Sequence, residues 1–129
     1  MLPDQIWTVN PKIIYVFRQP KDVAVSYYHH YNTLHGYQGG IGPFVDALVK
    51  DFVLWNPYHE HISSFLQLSE IMKNVLLIRY EDMKKDLPFQ IIRTIKFLGL
   101  DYSENQILKL ADHLSIDNMK SMKCISFNR

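Results

Sequence analysis

Arg18 and Ser26 are the residues in this chain whose types and spacing best suit an anion. Arg18 closes a β-branched and aromatic run and stands just ahead of Pro20, a residue suited to the first turn of a helix. A phosphate held there would meet a planar guanidinium fork together with the positive end of a helix dipole. Ser26 follows eight residues later, about two helical turns on, so its hydroxyl can donate to the same phosphate if that helix face lines the cleft. An internal use is open as well, and simpler: Arg18 pairs with Asp22 or another carboxylate at the helix start, and Ser26 bonds back to a carbonyl of its own helix.

Other groups rank below this pair. Tyr80-Glu81-Asp82 forms a second polar cluster after an apolar run, but adjacent carboxylates there point different ways, and capping the next turn is the expected role of Glu81 and Asp82. His59 and His61 would point about 200° apart on a helix and have no evident third ligand, so no metal site is expected. Tyr27, Tyr28 and Tyr31 read as core packing rather than as a platform for stacked bases. Fourteen basic against thirteen acidic residues leave a charge of +1, so no global field gathers nucleic acid or an anionic membrane, and any anion site is local. The single cysteine, Cys124, excludes an internal disulfide and a multi-cysteine metal site and suits a reducing compartment such as the cytoplasm.

The elements that must position these residues are legible in the pattern. With 47% hydrophobic and 21% charged residues over 129 positions, the chain reads as globular and as one domain or part of one. No basic segment followed by an apolar run opens it and no apolar stretch approaches eighteen residues, so neither secretion nor membrane spanning is expected. Lys12–Phe17 and Val75–Arg79 are continuous apolar runs that predict buried parallel strands. Between them the pattern predicts a helix over Pro20–Leu34, a glycine-rich loop over Gly36–Pro43, a helix carrying Phe44, Leu48 and Phe52, and, after a break at Asn56-Pro57, one carrying Ile62, Phe65 and Leu66. Phe89, Ile92 and Ile95 predict a helix ending at Gly99. Ser103 with Gln106 predicts a capping box ahead of a stripe at Ile107, Leu110 and Leu114, and the tail from Asp117 is expected to be partly helical. Two strands alone leave both sheet edges unpaired, which predicts further strands upstream of Met1-Leu2-Pro3.

Ligands of an open parallel α/β sheet bind beyond the carboxyl ends of the strands, where Arg18 and Tyr80 both fall. Here the residues form a signature. Lys12-Ile-Ile-Tyr-Val-Phe-Arg18 followed by Pro20-Lys-Asp-Val-Ala-Val-Ser26-Tyr-Tyr-His29 closely resembles the cytosolic sulfotransferase family. The resemblance resumes at Val75-Leu-Leu-Ile-Arg-Tyr80-Glu-Asp-Met-Lys-Lys85 and at Ile95-Lys-Phe-Leu-Gly99, and ends in a weaker Leu114-Ser115-Ile-Asp-Asn-Met119-Lys120.

The resemblance implies that residues 1–129 are a partial sulfotransferase domain, part of a three-layer parallel-sheet α/β fold related to the phosphate-binding-loop nucleotide kinases. It implies sulfuryl transfer from 3′-phosphoadenosine 5′-phosphosulfate to a hydroxyl or amine of a small acceptor: a phenol, alcohol, steroid or amine. By the same carry-over Arg18 and Ser26 hold the 3′-phosphate, Tyr80 sits against the nucleotide, and Ser115 and Met119 lie near the adenine. His30 falls where the family lines its acceptor pocket, although a surface histidine is the simpler expectation. Where the family shows Thr-Ser-Phe this chain has Leu114-Ser115-Ile116, which puts an adenine contact in question. The family's 5′-phosphosulfate loop with its catalytic lysine and its Lys-Thr-His-Leu-Pro base segment belong upstream of this region. The Arg-Lys-Gly segment and the segment that makes a homodimer of the complete parent belong downstream. No catalytic residue is therefore assigned here. The competing expectation is a catalytically inactive truncated form that binds nucleotide weakly or associates with full-length subunits.

Overall fold

The two apolar runs pair as expected, and their pairing organises the molecule. In the computed structural model, which describes residues 8–54 and 57–121, strand β1 (Ile13–Phe17) lies parallel to β2 (Val75–Arg79), with Ile13 opposite Val75 and Phe17 opposite Arg79. The connection between them carries helices α1 (Pro20–Leu34), α2 (Ile41–Val49) and α3 (Tyr58–Ile71); β2 is followed by α4 (Tyr80–Lys85), α5 (Leu87–Leu98), α6 (Glu104–His113) and α7 (Ile116–Ser121). A parallel pair needs such a crossover, because a tight turn can only reverse the chain. Met1-Leu2-Pro3, the expected break at Asn56 and Cys124 lie outside the described residues.

Local chemistry accounts for most of the boundaries. Pro20 opens α1 and Asp22 stands in its first turn, where a fixed φ and a negative charge both favour a helix start. Asp86 caps α5 by accepting from the Phe89 N–H at 3.0 Å. Ser103 and Gln106 form the expected capping box on α6. Gly99, at φ 77°, closes α5 while Leu100 N–H reaches back to the Ile95 carbonyl at 3.0 Å, the left-handed closure glycine permits at least cost.

Three expectations are corrected in detail. Helix α2 starts at Ile41, inside the predicted loop, and takes Gly42 and Pro43 into its first turn, where the missing proline N–H has no intrahelical partner to lose. It also stops at Val49, so Phe52 lies beyond it and is exposed. Asp51 adopts φ 61°, and the N–H groups of Asp51 and Phe52 turn back to the carbonyls of Leu48 and Ala47, which ends the helix before the apolar repeat does. On α5 the inward face is Gln90, Ile91 and Ile95, while Phe89 is exposed. Ile91, Ile95 and Ala111 form the core between α5 and α6, with Leu87, Ile107 and Leu110 against it.

A second centre of packing is aromatic. Phe44 of α2, 2% exposed, meets the rings of Tyr27, Tyr28 and Tyr31 of α1 and of Tyr37 at centroid distances from 5.2 to 6.2 Å. This is the packing role expected of the three tyrosines. Tyr31 Oη accepts from the Leu54 N–H at 2.7 Å and Tyr27 Oη donates to the Leu54 carbonyl, so both phenols tie α1 to the segment after α2. On β1, Ile14 and Val16 are exposed, alternating with Tyr15, whose ring stacks on Phe65 of α3 at 4.1 Å. Among the described residues no helix is long and apolar enough to cross a membrane.

Candidate functional site

The parallel register puts the residue after Phe17 beside the residue after Arg79, and those residues are Arg18 and Tyr80. The Arg18 guanidinium lies over the Tyr80 ring, 4.8 Å from its centroid, an arrangement that holds a cation on the electron-rich face of an aromatic. Arg18 also lines a cleft of about 210 Å³ with Val23, Ser26, Tyr27 and His30. The structure thus brings Arg18, Ser26 and Tyr80 to one place at the carboxyl ends of the strands.

Both internal alternatives can be checked. Arg18 does pair with Asp22: Nε and Nη2 donate to the same oxygen, Oδ2, at 3.2 and 3.1 Å. The two side chains are 37% and 51% exposed, so this is a surface pair between neighbouring turns, worth only about 0.3–0.5 kcal/mol. Nη1 remains without a hydrogen-bond partner among the described residues. The Ser26 hydroxyl likewise has none among them and is exposed. Gln19 makes no side-chain cap on α1 and Pro20 has no N–H to offer, so the positive end of this fifteen-residue helix, beside Arg18, is capped by no side chain of its own N-cap residue. The N–H donors of Nη1 and the Ser26 hydroxyl are therefore available to an anion beside the start of α1.

The backbone on which Arg18 stands is held by two residues that the sequence did not single out for it. The Arg18 carbonyl accepts from Tyr58 Oη of α3 at 2.7 Å. The next N–H, that of Gln19, donates to Glu81 Oε1 of α4 at 2.9 Å. Helix α4 has no side-chain cap at its Arg79 end, and Glu81, expected to cap its own turn, instead reaches the loop after the other strand. That N–H, and secondarily Glu81's own backbone N–H, hold its carboxyl below the usual carboxylate range. Burial pushes the Tyr58 phenol up from its ordinary value of 10.0; at neutral pH it is a proton donor, as any ordinary phenol is. The other carboxylate oxygen, Glu81 Oε2, is occluded and has no partner among the described residues.

The remaining candidates are placed differently. Ser115 Oγ accepts from the Asn118 N–H at 3.3 Å, and the Ser115 carbonyl accepts from the Met119 N–H at 2.9 Å. Both residues are thus engaged in the start of α7, and among the described residues no hydrogen bond or ring contact links either to Arg18, Ser26 or Tyr80. His30 lines the cleft, with its ring 5.9 Å from Tyr27 and 5.6 Å from His35. His61 Nδ1 lies 2.8 Å from Tyr15 Oη, so the imidazole serves packing at β1. Among the described residues no three His, Cys, Asp or Glu side chains gather as a metal site would need.

Comparison with known proteins gives a consistent family. The model of the sulfotransferase domain matches residues 1–129. Luciferin sulfotransferase of Photinus pyralis is 38% identical over 128 residues, covering 98% of this chain and 34% of that protein. Sulfotransferase 1E1 of Rattus norvegicus is 32% identical over 130 residues, covering 99% of this chain and 44% of its own length. Among solved structures, a mouse sulfotransferase complexed with PAP superposes with a TM-score of 0.85 at 34% identity, covering 95% of this chain and 44% of that one. Retinol dehydratase in complex with androsterone and inactive cofactor PAP does so with 0.83 at 34% identity, covering 93% and 35%. The chain spans between about a third and under half of the length of these relatives.

Proposed function

The chain belongs to the sulfotransferase family, and from that premise we propose that Arg18 and Ser26 hold the 3′-phosphate of a 3′-phosphoadenosine nucleotide. Tyr80 backs the guanidinium and lies against the nucleotide, with Ser115 and Met119 toward the adenine. In the whole protein the donor is 3′-phosphoadenosine 5′-phosphosulfate, which supplies the sulfuryl group. The acceptor is a hydroxyl or amine of a small molecule such as a phenol, alcohol, steroid or amine, and the setting is cytoplasmic. The described residues would bind and orient the nucleotide through Arg18 Nη1, the Ser26 hydroxyl and the first turn of α1. The observation that carries this reading is the stacking of Arg18 on Tyr80 at 4.8 Å in a cleft it shares with Ser26.

The residues fit the group. Nη1 and the Ser26 hydroxyl are donors in want of acceptors, and a charge-assisted hydrogen bond to phosphate is worth about 1.5–3 kcal/mol. That exceeds the surface pair with Asp22, so a phosphate takes the guanidinium without needing Asp22 to be absent.

Titration calorimetry with adenosine 3′,5′-bisphosphate, beside 5′-AMP and the Arg18→Ala variant, tests the assignment. A preference for the bisphosphate that disappears in Arg18→Ala supports it; equal binding of both nucleotides, or a preference untouched by the substitution, refutes it. A second reading, a chain that binds nucleotide without turnover or associates with full-length subunits, is favoured by the exposed Ile14 and Val16 on β1. It predicts bisphosphate binding with no sulfuryl transfer by the chain itself.

A further inference from the structure

The Arg18 carbonyl and the Gln19 N–H are two ends of one peptide group, and each end is held by a side chain from a different element: Tyr58 Oη at 2.7 Å from α3 and Glu81 Oε1 at 2.9 Å from α4. From this we infer that Glu81 and Tyr58 are positioning residues for phosphate recognition, together fixing the peptide plane that aims the Arg18 guanidinium and starts α1.

The geometry gives the reason. A peptide plane turns about ψ of Arg18 and φ of Gln19. Turning it swings the Arg18 side chain relative to the helix whose first residue is Pro20. Guanidinium and helix terminus must point at one phosphate to act together, so slack in this single plane separates them. The Tyr80 ring limits the guanidinium from one side, while the exposed Asp22 pair is too weak to aim it. With carbonyl and N–H both engaged, rotation of the plane breaks two hydrogen bonds at once.

The role presupposes that Arg18 binds the 3′-phosphate, and the test separates the two claims. Calorimetric affinities for adenosine 3′,5′-bisphosphate and 5′-AMP are measured on the wild-type chain and on Glu81→Gln, Glu81→Leu and Tyr58→Phe, with folding checked by circular dichroism. The readout is the ratio of the two affinities, since simple loss of folded protein lowers both equally. Glu81→Leu and Tyr58→Phe should lower the ratio about tenfold, the size of one charge-assisted hydrogen bond lost to misaiming. Glu81→Gln, which keeps a carbonyl oxygen to accept from Gln19, should retain it. A wild-type chain without preference refutes the phosphate site and the positioning role with it. A wild-type preference that survives both Glu81→Leu and Tyr58→Phe, or affinities that fall in parallel, overturns the positioning role alone. Tyr58→Phe removes one oxygen on the other end of the same peptide group and decides the matter even if Glu81→Leu does not fold.

Discussion

Replacing Asp22 with asparagine should make the protein bind a 3′-phosphate more tightly while making it less stable. Arg18 donates twice to one Asp22 oxygen, at 3.2 and 3.1 Å, and the partners are 37% and 51% exposed. Discounted for solvent, the pair is worth about 0.3–0.5 kcal/mol. A phosphate must share or displace it, so its loss returns roughly a factor of two in affinity, and removing a carboxylate beside a dianion adds a comparable factor at low salt. The expected gain is about two- to fivefold for adenosine 3′,5′-bisphosphate, shrinking at high salt, with little change for 5′-AMP. Against this, Asp22 stands in the first turn of α1, where a negative charge contributes about 0.3–1 kcal/mol through the helix dipole. Together with the lost pair, Asp22→Asn should be less stable by about 1 kcal/mol, a shift of a few degrees in Tm. Calorimetry at two salt concentrations and a thermal melt read both effects. If the variant binds the bisphosphate more weakly while remaining folded, Asp22 orients Arg18 rather than competing with the ligand, and the electrostatic reasoning is wrong.

The other predictions concern the frame. Asp51 adopts φ 61° at the end of α2, so Asp51→Gly should raise stability by up to about 1 kcal/mol, measured as a higher urea midpoint at unchanged slope. Ser103→Ala removes the capping box on α6 and should cost about 1 kcal/mol in the same assay. Glu81 has a lowered carboxyl pKa, chiefly because it accepts from the Gln19 N–H. Its contribution is therefore complete above the ordinary value of 4.5 and is lost as pH falls through the lower native value. Urea midpoints taken from pH 7 down to pH 3 should fall less steeply below pH 4.5 in Glu81→Gln than in the wild type, and equal slopes would remove Glu81 from the acid response.

How much of this was legible in the sequence depends on the range of the interaction. Pro20 and Asp22 at the start of α1, Gly99 at the end of α5 and the Ser103–Gln106 box act within one or two helical turns, and their residue types announced them. The two apolar runs announced parallel strands through their continuous apolar, β-branched character, although on β1 Ile14 and Val16 are exposed rather than buried. Phe52 misled because its spacing continued the α2 stripe, whereas the backbone hydrogen bonds of Asp51 and Phe52 ended the helix first. Phe89 misled in the same way, its apolar character pointing inward while the packing of α5 on α6 chose Ile91 and Gln90.

Arg18 and Ser26 were identifiable as a pair from their spacing, and Tyr80 from its place after a strand. That Arg18 lies on Tyr80 follows from the register that sets Phe17 opposite Arg79, a choice made between segments 62 residues apart. Neither Tyr58 nor Glu81 carried a signal for its hold on the Arg18–Gln19 peptide, because those contacts span 40 and 62 residues. The chain by itself determined the elements and the donors, through local hydrogen bonds and hydrophobic patterning. The tertiary structure alone decided which donors share a cleft and what aims them, because loop closure and strand pairing bring together residues that neighbouring sequence does not relate.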